Sequence, residues 1–148
     1  MSSAPILIQQ DNARPHIGVN DLEFMKTAQR DGFDIKLWFQ SPNSPDLNVL
    51  DVGFFRAIQS LQYQNVPSNI DELVEVVEKF FNEMKAERLN HAFLTLQCCM
   101  NEVKKHRGDN NHKVPHMNKE RLEREGDLSL QVSCDADIVN QVLALLQQ

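Results

Sequence analysis

The sequence predicts an α/β protein that is predominantly helical, with one strand-helix-strand unit followed by several helices. Two short apolar runs, at residues 6–8 and 35–39, lie on either side of a segment with helical periodicity. From residue 45 to about residue 105, apolar residues recur at intervals of three and four. Because two strands joined through one helix form a βαβ unit, we expect the strands to be parallel with a right-handed crossover.

Local signals mark the first strand, the helix after it and the second strand. Residues 6–8 form a continuous apolar run of the kind found in strands buried on both faces. Asn20 and Glu23 resemble a helix-capping box, and Gly32 suits the position just past the end of that helix. Residues 35–39 are the expected second strand. The apolar stripe of the predicted helix consists of Leu22, Met25 and Ala28.

Three further helices are predicted before residue 106. The first begins with Ser44 as its N-cap and Pro45 at its first position. Ser68 with Asp71 starts the second, and the third covers roughly residues 89–105. The apolar stripe of the first of these helices is Leu47, Leu50, Phe54, Phe55, Ile58 and Leu61.

A change in composition near Arg107 suggests a boundary. Polar residues dominate from there, and the apolar periodicity stops until a short predicted helix at residues 138–146. We therefore predict a main domain over residues 1–106 and a polar extension over residues 107–148 that lies outside the main core.

Composition limits the class of protein. The chain has 148 residues, of which 41% are hydrophobic and 24% charged, and a formal net charge of −6. Every part of the chain is mildly acidic, which argues against a stand-alone nucleic-acid-binding protein. No apolar run approaches the roughly 20 residues of a membrane-spanning helix, and no signal-peptide pattern opens the sequence. Since the 3 cysteines also form no obvious disulfide framework, we expect an intracellular protein without a membrane partner.

Asp51 occupies an unusual position on the predicted helical wheel. Counted at about 100° per residue from Leu47, it falls at about +40°, between the apolar residues of the stripe. A buried carboxylate costs several kcal/mol unless a cation or hydrogen-bond donors compensate it, and a bound metal is one such compensation. The alternatives are a salt bridge to Arg14 or Arg56, or a helix that begins elsewhere.

Asp11 is expected close to the same place. It follows the first strand directly, and parallel strands end at the same edge of a sheet. Two carboxylates that converge there would repel each other unless divalent cations screen them, and aspartate oxygens favour magnesium or manganese. Alternatively, Asp11 and Asn12 simply form a turn.

Two sequence motifs resemble a known family. QQDNARPH at residues 9–16 and SPNSPDLNVLDVGFF at residues 41–55 resemble the second and third acidic motifs of mariner-like transposases, in the Tc/mariner superfamily. The 39 residues between Asp11 and Asp51 match the interval of the three-aspartate variety found in plants and oomycetes. The segments FLTLQCCMNEV and KVPHMNKERLEREGDL also resemble the carboxyl-terminal region of that variety.

This resemblance implies a ribonuclease-H-like catalytic domain that cuts and joins DNA. Three aspartates of the family hold two magnesium or manganese ions about 4 Å apart, and Asp11 and Asp51 match the second and third of these catalytic metal ligands. The motifs also contain residues that would orient the metal ligands or the substrate. These are Asn12, Arg14, His16 and Asn48, although both asparagines could instead stabilise turns and Arg14 could pair with Asp11.

The resemblance also implies that part of the family's catalytic domain is missing here. The first catalytic aspartate and the helix-turn-helix region that binds transposon ends would both precede residue 6. We therefore expect a transposase fragment, partly ribonuclease-H-like and inactive alone, whose intact form binds DNA in the nucleus. Two alternatives are a chain completed by another chain that supplies the first aspartate, and a non-enzymatic helical interaction module derived from a transposase. An unpaired strand edge at residues 6–8 would favour self-association.

Overall fold

A parallel pair of strands organises the first part of the chain. The structure is a computed structural model that describes residues 4–109 and 111–147. Strand β1, Ile6–Gln10, pairs in parallel with β2, Ile35–Phe39, and helix α1, Leu22–Ala28, lies between them in sequence. Ile6 is opposite Ile35 and Gln10 is opposite Phe39. The predicted strand-helix-strand unit with parallel strands is therefore confirmed, and β1 extends two residues beyond the apolar run.

Helix α1 begins at Leu22 with Asp21 as its cap. The Oδ1 atom of Asp21 accepts a hydrogen bond from the backbone N–H of Phe24 at 2.8 Å. The prediction of Asn20 as the cap was therefore wrong by one residue, because either of the two adjacent polar side chains suits that position. A short 3-10 turn follows the helix, and Gly32 there has a left-handed φ of 83°.

The prediction that β1 is buried on both faces was wrong. Ile6, Leu7 and Ile8 are 47%, 57% and 44% exposed. The sheet has two strands, and one short helix crosses between them, which is too little structure to cover both faces. Ala28 of α1 is the buried apolar residue of this part of the chain.

The next segment does not form the single helix that the sequence predicted from Pro45 onward. A 3-10 turn, Pro45–Leu47, is followed by a π-helical turn, Leu50–Phe54, and only then by helix α2, Phe55–Asn65. The side chain of Asn48 accepts a hydrogen bond from the backbone N–H of Leu50 at 3.0 Å. Such a local side-chain bond competes with α-helical pairing and separates the two turns. The side chain of Leu61, part of the predicted stripe, lies outside the described residues.

Ser44 lies directly before the first of these turns. Its hydroxyl donates to the carbonyl oxygen of Pro42 at 3.2 Å, and the residue is buried. The 3-10 turn begins at Pro45, directly after Ser44, so a capping hydrogen bond to the Ser44 side chain stays a prediction.

Helices α3, Ile70–Glu83, and α4, Ala86–Lys105, follow α2. Asn69 caps α3 through a hydrogen bond of 2.9 Å from the backbone N–H of Glu72 to its side-chain oxygen. The Glu72 carboxylate accepts from the backbone N–H of Ser68 at 2.6 Å, which completes a reciprocal cap. The predicted start at Ser68 was thus early by one residue.

Leu94, Cys98 and Cys99 are buried on α4, and a separate buried cluster of aromatic and aliphatic side chains comes from three elements. Phe54 packs edge-to-face on Phe80 and Phe81, with ring centroids 5.4 Å and 4.9 Å apart. Ile58 is buried against them. Each aromatic pair of this geometry contributes about 0.5–1.5 kcal/mol beyond the burial of its area. The π-helical turn is therefore fixed to α3 through Phe54.

Residues beyond 106 lie along α4. They form helix α5, Lys119–Glu125, which the sequence did not predict, and helix α6, Ala136–Leu146. The side-chain oxygen of Gln97 accepts from the backbone N–H of Val132 at 2.8 Å, and Asn101 donates to the carbonyl oxygen of Ser133 at 3.0 Å. These contacts join the segment to α4, while the expectation that residues 107–148 form a polar extension outside the main core stays a prediction.

The described residues form a mixed α/β protein that is predominantly helical, as predicted. Contacts divide the chain into one compact unit of residues 1–44 and another of residues 45–148. The predicted boundary at residues 106 and 107 stays a prediction. No helix in the described part of the chain combines the length and apolar character needed to span a membrane.

Candidate functional site

Asp11 lies directly beyond the carboxyl end of β1, within a tight turn. Its Oδ1 atom accepts from the backbone N–H of Ala13 at 2.8 Å and lies 2.8 Å from Nε2 of His16. The backbone N–H of His16 donates to the carbonyl oxygen of Ala13, which brings the imidazole back toward the carboxylate. The side chains of Asp11 and His16 are 51% and 42% exposed. Two residues of the predicted site are thus in direct contact at the surface.

Asn12 joins the ends of the two strands. Its Nδ2 atom donates to the carbonyl oxygen of Gln40, just after β2, at 3.0 Å. The backbone N–H of Gln40 in turn donates to the carbonyl oxygen of Gln10 at 2.9 Å. Asn12 therefore does more than stabilise a local turn, because it fixes the loop that carries Asp11 to the neighbouring strand.

Arg14 is exposed in the same loop. In residues 4–44 the basic side chain in contact with Asp11 is that of His16, and Arg14 forms no ion pair there. The alternative in which Arg14 pairs with Asp11 is therefore wrong for this loop.

Asp51 is exposed, so the prediction that it lies inside the apolar face was wrong. The reason is the π-helical turn, in which the backbone N–H of Phe55 bonds to the carbonyl oxygen of Leu50, five residues earlier. Such a turn takes more residues than an α-helical turn, so a wheel of about 100° per residue misplaces the side chains. The described part of residues 45–148 also shows no ion pair between Asp51 and Arg56. Burial consequently gives no argument for a metal at Asp51.

Asn48 positions the backbone that carries Asp51. Its side-chain oxygen accepts from the backbone N–H of Leu50, and its carbonyl oxygen accepts from that of Val52, both at 3.0 Å. These two bonds fix the residues on either side of Asp51.

The donor atoms of both aspartates suit a hard divalent cation. Carboxylate oxygens are the ligands that magnesium and manganese prefer, and both side chains are open to solvent, so water molecules could complete the coordination. Asp11 belongs to residues 1–44 and Asp51 to residues 45–148, and each is described within its own unit. In the described part of either unit, no three His, Cys, Asp or Glu side chains are grouped closely enough to hold a metal.

Sequence reasoning missed a contact between a buried imidazole and a partly exposed carboxylate in the second unit. Nε2 of His112 lies 3.3 Å from Oδ2 of Asp46, and the His112 side chain is only 2% exposed. The ring of His106 stacks on that of His112 at a centroid distance of 5.7 Å. No periodicity relates Asp46 to His112, so the sequence contains no local signal for this pair.

Comparison with protein-family models, with curated proteins and with solved structures finds no match to this chain.

Proposed function

We propose that this chain contains part of the ribonuclease-H-like catalytic domain of a mariner-like DNA transposase. Asp11 and Asp51 are the second and third of its three catalytic aspartates and ligate magnesium or manganese. The observation that supports this function best is the place of Asp11, immediately after the carboxyl end of a strand in a parallel pair. Ligand sites of α/β sheets lie at that edge.

The contacts of Asp11 are compatible with metal ligation. Oδ1 is fixed by Ala13 and His16, whereas Oδ2 receives no hydrogen bond from any described residue. The carboxylate is therefore oriented by one oxygen and keeps the other for a cation. Asn12 supports this orientation by joining the loop to Gln40. His16 and Asn12 are thus positioning residues in the proposed site.

The chemistry is a displacement at a DNA phosphate. A bound pair of divalent ions would activate the attacking water or 3′-hydroxyl and stabilise the leaving oxygen. Asp11 and Asp51 hold negative charge at the site, Asn48 fixes the backbone around Asp51, and Arg14 is available for a DNA phosphate. The proposal implies DNA, specifically transposon ends, as the partner of the intact protein and the nucleus as its location.

A manganese titration of the full chain, followed by electron paramagnetic resonance, tests the metal ligands. We expect Asp11→Asn and Asp51→Asn each to weaken manganese binding at least tenfold. Asp31→Asn is the matched control, since it removes the same charge and asparagine tolerates the left-handed φ of 56° at that position. Undetectable binding at millimolar manganese, or an equal loss in the control, would refute the assignment and favour the non-enzymatic helical interaction module.

A strand-cleavage assay with magnesium or manganese tests the activity. Because the proposed site takes three aspartates and these motifs provide two, we expect no cleavage by this chain alone. Cleavage that disappears in both Asp11→Ala and Asp51→Ala would contradict this expectation and would favour an active site completed by another chain that supplies the first aspartate.

A further inference from the structure

A cavity of about 230 Å³ lies within residues 45–148, away from Asp11. Its walls come from the π-helical turn, the region of α3, α4 and the start of α5. They are mostly apolar, with Phe54, Phe80, Met84 and Leu89 among them. An apolar cavity of about 150 Å³ accommodates benzene. This cavity therefore has room for a ring and one small polar group.

The polar side of the cavity is cationic. The cations Arg88 and Lys119 line it together with His91 and Thr95, and no carboxylate of a described residue does. Nε2 of His91 lies 3.3 Å from the Glu123 carboxylate without hydrogen-bond geometry, so His91 already faces an acid outside the cavity. Arg88 and Lys119 remain as the cations that a ligand would meet.

Lys119 is held in place with one donor to spare. Its ammonium donates to the carbonyl oxygen of His91 at 2.7 Å and to the hydroxyl of Thr95. A lysine ammonium has three N–H donors, so one remains for a ligand. Burial lowers the pKa of Lys119, which is the effect expected of an ammonium that lacks a neighbouring carboxylate.

Arg88 is the second cation at this cavity. It is exposed, and within the described part of the chain it forms no ion pair. Its guanidinium can therefore take a carboxylate in two parallel hydrogen bonds without giving up an existing partner.

We propose that this cavity binds a small monocarboxylate with an apolar, ring-sized body. The ring would be buried against Phe54, Phe80 and Met84, while the carboxylate meets Arg88 and the remaining donor of Lys119. Such a combination of apolar walls and a few convergent polar groups is the usual composition of a small-molecule site. This site does not depend on the proposed transposase function, because neither Asp11 nor Asp51 lines the cavity.

Benzoate and benzyl alcohol are the probes, since they share a ring and differ in charge. We expect calorimetric titration of the full chain to show benzoate binding at least tenfold more tightly than benzyl alcohol. Ala92→Leu, which places a larger side chain in the cavity, is expected to abolish the binding of both. Equal affinities, or no benzoate binding, would overturn the proposal.

Variants of the two cations test the polar contacts. Arg88→Gln and Lys119→Gln are each expected to weaken benzoate binding at least fivefold and to leave benzyl alcohol unchanged. Lys85→Gln removes an exposed cation near Arg88 that does not line the cavity, and it should retain benzoate affinity. Thermal unfolding identifies any variant that fails to fold. If Lys119→Gln fails to fold, Arg88→Gln still tests the proposal, because Arg88 is exposed. An equal loss in Lys85→Gln would show only nonspecific charge attraction and would refute the site.

Asp11→Asn should bind benzoate like the original chain, which separates this result from the metal experiment.

Discussion

His112 is buried with both of its ring nitrogens facing oxygen atoms. Nε2 is near Asp46, and Nδ1 lies 3.0 Å from the carbonyl oxygen of Asp109. Asp46→Ala leaves the buried Nε2 of His112 without this partner, and His112→Ala removes a buried side chain together with its two contacts. A buried polar group that loses its partner costs about 1–3 kcal/mol. We therefore expect Asp46→Ala and His112→Ala each to destabilise the fold by about that amount in urea unfolding.

The double variant separates an interaction from two independent losses. If Asp46 and His112 stabilise each other, the double variant will lose less than the sum of the single variants, by about 0.5–3 kcal/mol. The exposed pair of Asp34 and Lys36, 3.2 Å apart, is the matched control, because surface pairs contribute about 0–1 kcal/mol. Strict additivity at Asp46 and His112 would show that the contact contributes nothing.

Glu102 gives the fold a predictable acid sensitivity. Its Oε1 atom accepts a hydrogen bond of 2.6 Å from the Lys105 ammonium, and this bond lowers the pKa of the carboxyl. The unfolded chain, in which the pKa of glutamate is about 4.3, takes up the proton at higher pH than the folded chain does. Stability from this pair is therefore present above about pH 4.3 and is lost as the pH falls below it.

Glu102→Gln should make the free energy of unfolding fall less steeply as the pH is lowered, as measured by urea unfolding between about pH 3 and pH 7. Lys105→Gln should change this slope in the same direction, because the hydrogen bond from Lys105 is the main cause of the lowered pKa. A Glu102→Gln profile with the original slope would assign the acid sensitivity to other carboxyl groups.

Helix α3 depends on a cap that the sequence nearly located. Asn69 accepts from the backbone N–H of Glu72, so Asn69→Ala leaves that donor unsatisfied and should cost about 1 kcal/mol in urea unfolding. Ser68→Ala is a close control, because Ser68 contributes its backbone N–H, which the substitution keeps. A larger loss in Ser68→Ala than in Asn69→Ala would show that the helix begins where the sequence had suggested.

The sequence predicted most elements because periodicity and caps are local signals. The helix starts were displaced by one residue at Asn20 and Ser68, since each is followed by a second residue that can cap equally well. Helix α5 was missed because Leu122 is its only apolar residue, which leaves no periodicity to detect. The π-helical turn was missed because its wider hydrogen bonding has no simple sequence pattern.

In the candidate site, too, the features that the sequence could predict are the local ones. Asp11, Asn12 and His16 belong to one motif, and the structure joins them through short-range bonds and one bond to the end of β2. The exposure of Asp51 could not be predicted, because it follows from the backbone geometry of the turn rather than from residue spacing. The pairing of Asp46 with His112 requires the path of the whole second unit and has no counterpart in a local pattern.

Over the whole molecule, the largest departure from an ordinary α/β protein is the exposed strand pair. Each strand of the two-stranded sheet has one edge without a partner strand among the described residues. Leu7 is 57% exposed and Trp38 is 62% exposed, so apolar side chains accompany these open edges. Open apolar edges promote pairing with other chains, whereas natural proteins usually protect them with charge or coverage.

We therefore expect the chain to self-associate through this strand pair, with an average mass that rises with concentration in analytical ultracentrifugation. Leu7→Lys places a charge on β1 and should shift the population toward the monomer, because burying an unpaired lysine between chains is unfavourable. Ile70→Lys is the control, since Ile70 is 77% exposed on α3 and should leave the association unchanged. A monomer at all concentrations with a cooperative thermal transition would contradict this expectation, because the exposed strand pair would then be stable in water without a partner. Equal shifts in Leu7→Lys and Ile70→Lys would assign the association to general hydrophobicity and not to the strand edge.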